Sequence, residues 1–290
     1  MCFWVCPLER EVPAVTLPTF IVIGPGKTGT TWLYTCLAAH PQVRLARHTK
    51  ETVFFNDYYS RGLAWYERFF RGYEGAPAIG EISNNYFFSP EAPARIAKDV
   101  PNIKLITILR NPVDRLNSAY NFFKRWQVPS TEEFEETIAR NPRMISNNFY
   151  DEFLERWLEH FPRDRILVVL YDDIRTRPDH VLREIQKFIG VDADFKPPMM
   201  TEKVLPPSNP RNARVFRAIK RFSQWLRNHD YHRLLTWAKL NPTMAKILTK
   251  QSDEKKAPIP EHIHRRLQEI YRPHIDRLEA MIDRDLSAWK

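Results

Sequence analysis

A short apolar run, Phe20-Ile21-Val22-Ile23, leads directly into Gly24-Pro25-Gly26-Lys27-Thr28-Gly29-Thr30-Thr31. No polar residue alternates along the run, so it reads as a strand buried on both faces. The chain has eight glycines, and three of them fall within this one turn. Glycine is concentrated where the backbone must take positive φ or approach a ligand closely. A helix follows to about His40, capped by Thr30 or Thr31 and stopped before Pro41. Strand, glycine turn and helix in that order open a nucleotide-binding α/β unit. Backbone N–H groups at the positive end of the helix dipole make an anion site, to which Lys27 and the threonine hydroxyls add charge and donors. Gly26-Lys27-Thr28 fits the end of an ATP-binding P-loop, but that motif's first glycine would fall at Ile21. So short a loop suits one terminal phosphate group rather than a triphosphate.

Similar punctuation continues. Extended segments at 78–82, Lys104–Leu109 and Ile166–Tyr171 are followed by helical text: a helix capped by Ser89 and running to Val100, one at Asp114–Arg125, one at 178–189. Further helices are expected at 62–70, 131–139, 147–161 and 260–283, with Pro273 breaking or kinking the last. This alternation predicts a P-loop-like, three-layer α/β/α fold around a central, mainly parallel sheet. A single domain 1–290 is expected, made of an N-terminal arm 1–18, a cofactor-binding core 19–196, a helical, Pro-rich cap 197–256 and C-terminal helices 257–290.

Composition sets the class. With 43% hydrophobic and 27% charged residues the chain is globular rather than disordered. No apolar run approaches the ~18 residues that a membrane span needs. Glu9 and Glu11 interrupt the first twenty residues, which lack a secretory apolar stretch. Cys2, Cys6 and Cys36 are too few for a disulfide framework or a zinc cage, so a cytoplasmic protein with reduced thiols is expected, with no metal site. Residues 203–290 carry 19 Lys/Arg against 9 Asp/Glu, a basic third that suits an anionic partner or a solvated helical face.

Four segments together resemble the sulfotransferases that use 3′-phosphoadenosine 5′-phosphosulfate (PAPS). Lys27-Thr28-Gly29-Thr30-Thr31-Trp32-Leu33 is similar to their 5′-phosphosulfate loop, and Glu51-Thr52-Val53-Phe54-Phe55 to the segment that carries the catalytic base in the heparan-sulfate-type branch. Leu109-Arg110-Asn111-Pro112-Val113-Asp114-Arg115 with Ser118 resembles the 3′-phosphate motif. Leu170-Tyr171-Asp172-Asp173-Ile174 resembles the late strand whose Tyr lies near the adenine. Ile275, Leu278, Asp285-Leu286-Ser287 and Trp289 look like the family's C-terminus. The resemblance covers roughly 20–290. It implies sulfuryl transfer from PAPS to a hydroxyl or amine of an acceptor, either a glycan or a small-molecule metabolite, without metal, leaving adenosine 3′,5′-bisphosphate. Lys27, Thr28, Gly29, Thr30, Thr31, Trp32, Arg110, Ser118 and Tyr171 would hold the nucleotide, and Lys27 would also stabilise the leaving oxygen. Two departures stand out. Ile82 follows Glu81 where the heparan-sulfate branch has a lysine, and the cytosolic branch's Arg-Lys-Gly loop is missing, its place given to Arg211 in Ser208–Arg214. A monomer is expected, since the cytosolic branch's dimer motif is not visible.

Two groups compete for the base. His48 has the more convenient ordinary pKa, ~6.5 against ~4.3 for Glu. Glu51 matches the family position, and the bulk of Phe54-Phe55 would desolvate its carboxylate and raise its pKa; the assignment goes to Glu51, with His48 second. The bland alternative makes Glu51 a surface partner of Lys50 or Arg47. Two other functions compete as well. A nucleotide kinase would use the loop for ATP and Asp172 or Asp173 for Mg²⁺. A nucleic-acid-binding protein would use the basic third with Phe216, Phe222, Trp225 and Trp237, aromatics whose helical spacing reads instead as core. Neither nucleic acid nor a membrane is expected as partner.

Overall fold

The computed structural model describes residues 16–127, 134–198, 200, 208–210, 213–229, 231, 249–251 and 259–290. Five strands, β1 (Phe20–Gly24), β2 (Val43–Leu45), β3 (Ala78–Ile82), β4 (Lys104–Leu109) and β5 (Ile166–Leu170), form one sheet in the order β2-β3-β1-β4-β5. Every pairing in it is parallel. Helices cover both faces, which is why these strands read as continuous apolar runs. On one face Phe20, Val22, Ile106 and Ile108 pack against α1 (Thr30–Ala39) and α9 (Pro178–Ile189). On the other, Ile21, Ile23, Leu105 and Leu109 meet α3 (Ala92–Asp99), α4 (Pro112–Gln127) and α7 (Tyr150–Leu158). The helix Glu261–Ile282, α11 in this chain, adds Tyr271, Ile275 and Leu278 to that second core. Shorter helices are α2 (Leu63–Glu67), α5 (Phe134–Arg140), α6 (Arg143–Ser146) and α8 (Tyr171–Thr176). A small antiparallel pair, β6 (Ser208–Pro210) with β7 (Thr249–Gln251), flanks α10 (Ala213–Asn228). The three-layer α/β/α architecture is the expected one.

Several local expectations shift. Ser89 does cap α3, its Oγ accepting from the N–H groups of Ala92 (3.1 Å) and Glu91 (3.3 Å). Tyr171 opens a helix rather than ending β5. Pro273 lies inside α11 without ending it, because Tyr271 before it and Ile275 and Leu278 after it continue one buried stripe. Phe222 and Trp225 are not core: they are 57% and 49% exposed, while Leu226 on the same helix is buried. Helical spacing finds a shared face but not which face is covered. The side chain of Phe216, and all of Trp237, lie outside the described residues.

β3 carries two unusual residues. Gly80 lies against the ring of Phe20 so closely that a methyl group there would stand 2.3 Å from Phe20 Cζ. On the opposite face Glu81 is fully buried and accepts hydrogen bonds from the hydroxyls of Tyr66 (3.0 Å), Ser83 (3.3 Å) and Thr52. Tyr86 joins them 3.2 Å from Thr52 Oγ1 and accepts from the Phe55 N–H at 3.2 Å. Burial pushes the Glu81 carboxyl above the ordinary range, and the hydroxyl donors only partly oppose it.

Gly80→Ala should cost about 1–3 kcal/mol by overpacking the Phe20 face, measured as a lowered urea midpoint at unchanged slope. Glu81 has a folded pKa above its unfolded one, so protonation favours the fold and that contribution is lost as pH rises through the folded value. Glu81→Gln is neutral throughout. Its melting temperature should therefore climb relative to the wild type as pH rises from about 4 to about 7, and a difference that stays flat over that range would count against a raised Glu81.

Candidate active site

The turn after β1 holds three residues at positive φ: Gly24 (105°), Lys27 (75°) and Gly29 (100°). At Gly24 a side chain has no room, because a methyl group would stand 2.2 Å from the Asn84 carbonyl oxygen. Lys27 has no glycine's freedom, and the left-handed conformation costs it about 1–2 kcal/mol. Such strain is typical of functional turns. The Thr28 hydroxyl donates to Pro25 O (2.7 Å), Thr107 Oγ1 to Gly24 O (2.7 Å) and Arg115 Nε to Gly26 O (3.0 Å). Arg115 is buried, and its Nη1 also donates to Asn147 O and Asn148 Oδ1. The loop is thus clamped from below. Thr30 and Thr31 do not cap α1 as expected; Gly29 occupies that position and no side chain caps the N–H groups of the first turn. The helix therefore keeps open donors where an anion would sit. Lys27 Nζ stands over the Phe122 ring, 4.2 Å from its centroid.

One strand away, Arg110 follows β4. Its Nη2 bonds Asp114 Oδ2 at 3.1 Å, yet Asp114 is well exposed, so the ion pair accounts for little of Arg110's placement. The guanidinium stacks on Tyr171, 4.6 Å from the ring centroid, and its Nε is buried with no hydrogen-bond partner among the described residues. A buried donor left unmatched fits a missing anion. The same Tyr171 ring reaches the glycine loop: a methyl group on Gly29 would stand 3.2 Å from its Cδ2. Tyr150 fixes the backbone here through a 2.9 Å bond to Arg110 O, and Ser118 lies half-buried on α4.

Glu51 sits on the other side of the loop. Asn84, which follows β3 and packs against Gly24 and Gly26, donates from Nδ2 to Glu51 Oε1 at 2.5 Å. Phe54 and Phe55 turn away from Glu51 into the core, where they pack on Tyr66 and Tyr86. Those two tyrosines belong to the socket of Glu81, the carboxyl whose pKa burial raises. The departure of Phe54 and Phe55 from the expected place beside Glu51 comes from Val53, whose φ of 48° reverses the chain into a single π-helical turn, Phe54–Tyr58. His48 is exposed, also at positive φ.

Other expectations divide. Trp32 is buried and donates from Nε1 to Met200 O (2.9 Å), so it tethers a neighbouring segment. Ile82 is fully buried, leaving no cation at that position. Arg211 lies outside the described residues. Asp172 accepts from Trp289 Nε1 (2.8 Å), and Asp173 pairs with Arg177 (2.9 Å) and Arg284 (2.7 Å), so the carboxylates that a kinase would give to Mg²⁺ are engaged elsewhere. Among the described residues no three His, Cys, Asp or Glu side chains cluster as metal ligands, and no helix is long and apolar enough to cross a membrane. Arg115 and Asn84 were missed as supports of the site, because each acts across strands that only the sheet order brings together.

Residues 17–279 match the model of the sulfotransferase domain family. Human bifunctional heparan sulfate N-deacetylase/N-sulfotransferase 3 is 38% identical over 203 residues, 63% of this chain and 23% of that protein. The type 1 enzyme of Xenopus tropicalis is 36% identical over the same length, so the chain spans under a quarter of either relative. A solved sulfotransferase from Alicyclobacillus acidocaldarius superimposes with a TM-score of 0.68 at 25% identity, covering 95% of this chain and 99% of that one. With the family model spanning both phosphate motifs and Glu51, the chain belongs to the sulfotransferase family.

Proposed function

We propose that this chain moves a sulfuryl group from PAPS to a hydroxyl or amine of an anionic glycan, by in-line displacement. The observation that carries the reading is Tyr171, whose ring lies so close to Gly29 that a methyl group there would stand 3.2 Å from it, and which also lies under Arg110, so that two candidate anion sites share one wall. That spacing suits a nucleotide phosphorylated at both its 5′ and 3′ ends. PAPS supplies the activated sulfur. Gly29, Thr30, Thr31 and the open end of α1 hold the 5′ side, with Thr28 shaping the loop; Arg110 and Ser118 hold the 3′-phosphate and Tyr171 the base. Lys27 stabilises the negative charge that grows on the bridging oxygen as its bond to sulfur breaks. Glu51, oriented by Asn84, takes the acceptor's proton as the acceptor oxygen or nitrogen bonds to sulfur.

The acceptor side lies beyond Glu51. Tyr58 OH donates to Asn228 Oδ1 (3.0 Å) and Arg61 Nη2 to Asn228 O (2.5 Å), joining α10 to the segment after the base. On α10 and just beyond it Phe222, His229 and Tyr231 each stack against Trp225, with Arg61 and Arg68 over the Trp65 ring. Flat rings beside guanidinium groups suit sugar rings that carry acidic substituents, and the heparan sulfate enzymes among the relatives agree with such an acceptor. This is our reading of residues 197–256 as a cap. A monomer in a reducing, cytoplasmic setting suits the composition and the buried Cys36 thiol, which burial pushes up to about 12.

Calorimetry should show adenosine 3′,5′-bisphosphate binding far more tightly than ADP without added Mg²⁺. Equal affinities would remove the case for a 3′-phosphate site. Arg110→Ala should lose about 1.5–3 kcal/mol for the bisphosphate and little for adenosine 5′-phosphate. Glu51→Gln should keep nucleotide affinity while kcat falls roughly 10²–10⁴-fold, with His48→Ala staying within a few-fold of wild type. A nearly normal Glu51→Gln beside an inactive His48→Ala would move the base to His48.

A further inference from the structure

Lys50 has no part in the roles assigned so far. It immediately precedes Glu51, yet its side chain leaves in another direction: Nζ donates to Thr31 Oγ1 at 3.3 Å and lies 5.9 Å from the centroid of the Tyr34 ring. Among the described residues no carboxylate lies within ion-pair distance of this ammonium, and Glu51 Oε1 is held by Asn84 instead. A half-buried ammonium whose only acceptor among the described residues is a neutral hydroxyl is incompletely compensated. Burial lowers its pKa, with Glu51 opposing, which is the direction expected of a cation short of anionic contacts. The place is specific. Thr31 stands in the first turn of α1, whose N–H groups carry no side-chain cap. Because the Thr31 oxygen accepts from Lys50, its own hydrogen is left to donate to an anion at the helix end.

We propose that Lys50 is a second cation of the sulfuryl site, contacting non-bridging sulfuryl oxygens from the β2 side while Lys27 serves the bridging oxygen from the β1 side. The assignment rests on the sulfotransferase reading of the loop. As the acceptor–sulfur bond forms and the sulfur–oxygen bond to the 5′-phosphate breaks, Glu51 receives the proton and Lys50 keeps the group being transferred aligned between them. Ile82 on β3 carries no charge, and Lys50 comes from the segment that follows β2, the strand paired with β3.

The test compares two nucleotides that differ only in the sulfuryl group. Binding of PAPS and of adenosine 3′,5′-bisphosphate is measured by calorimetry without acceptor for the wild type, Lys50→Met and Lys50→Arg, followed by steady-state kinetics with a glycan acceptor. Lys50→Met keeps the length of the stem, so the fold should survive. The proposal expects it to hold the bisphosphate within about threefold of wild type, to bind PAPS about tenfold more weakly, and to lose about 10²-fold in kcat. Lys50→Arg should keep at least about a tenth of wild-type turnover, since the charge remains. Lys50→Met turning over within about threefold of wild type, or losing both nucleotides equally, overturns the assignment and leaves the transferase reading standing. A wild type that does not distinguish the bisphosphate from ADP sinks both.

Discussion

The guanidinium of Arg115 is the member from which the site is hung. It is buried beneath the glycine turn, and its described partners are oxygens of Gly26, Asn147 and Asn148 rather than a carboxylate. A cation is costly to bury, and burial lowers its pKa, so its position makes sense only if its hydrogen bonds are fully used. Those bonds join the loop, α4 and the turn before α7. Removing the side chain would take a donor from the Gly26 and Asn147 carbonyls and from Asn148 Oδ1, to which Tyr150 OH also donates at 3.5 Å.

The sheet order then decides which groups meet. β1 is central, so the loop at its end has β4 on one side and β3 on the other. From β4 come Arg110 and, one strand on, Tyr171; from β3 comes Asn84, and Glu51 follows β2 at the edge. In the function proposed above, the nucleotide and the acceptor would be served by opposite halves of the sheet, with the loop shared between them. The nucleotide half is built from regular strands and long helices. The acceptor half is built from a three-residue strand, a strained turn at His48 to Val53 and stacked aromatic rings.

This division explains how much could be read from the chain alone. The loop, β4 and the residues of both phosphate motifs are local patterns, and local patterns survive in one dimension: Lys27, Gly29 and Arg110 stand where their flanking strands imply. What was not legible depends on neighbours far apart in sequence. Asn84 meets Glu51 because β3 lies between β1 and β2, and nothing in 81–86 announces that order. The destination of Phe54 and Phe55 turned on one residue, Val53, adopting a backbone conformation that valine rarely takes. For Phe222 and Trp225 the helical period was correct and the direction was not, since both are exposed while Leu226 beside them is buried.

β3 also bears on how the molecule finds its shape. A parallel strand that slips by one residue sends every side chain to the opposite face. Here such a slip would force Glu81 into the apolar layer with Phe20 and Val22, and would press a bulky residue against the Phe20 ring where only Gly80 fits. The missing side chain on one face and the hydroxyl-lined socket on the other act as a two-sided key for a single alignment. β1 and β3 lie some sixty residues apart, and a mispaired strand in so slow-forming a contact could persist. The pair that looks like a packing oddity in the finished sheet therefore penalises a shifted alignment from both faces at once, and β3 leads directly to Asn84.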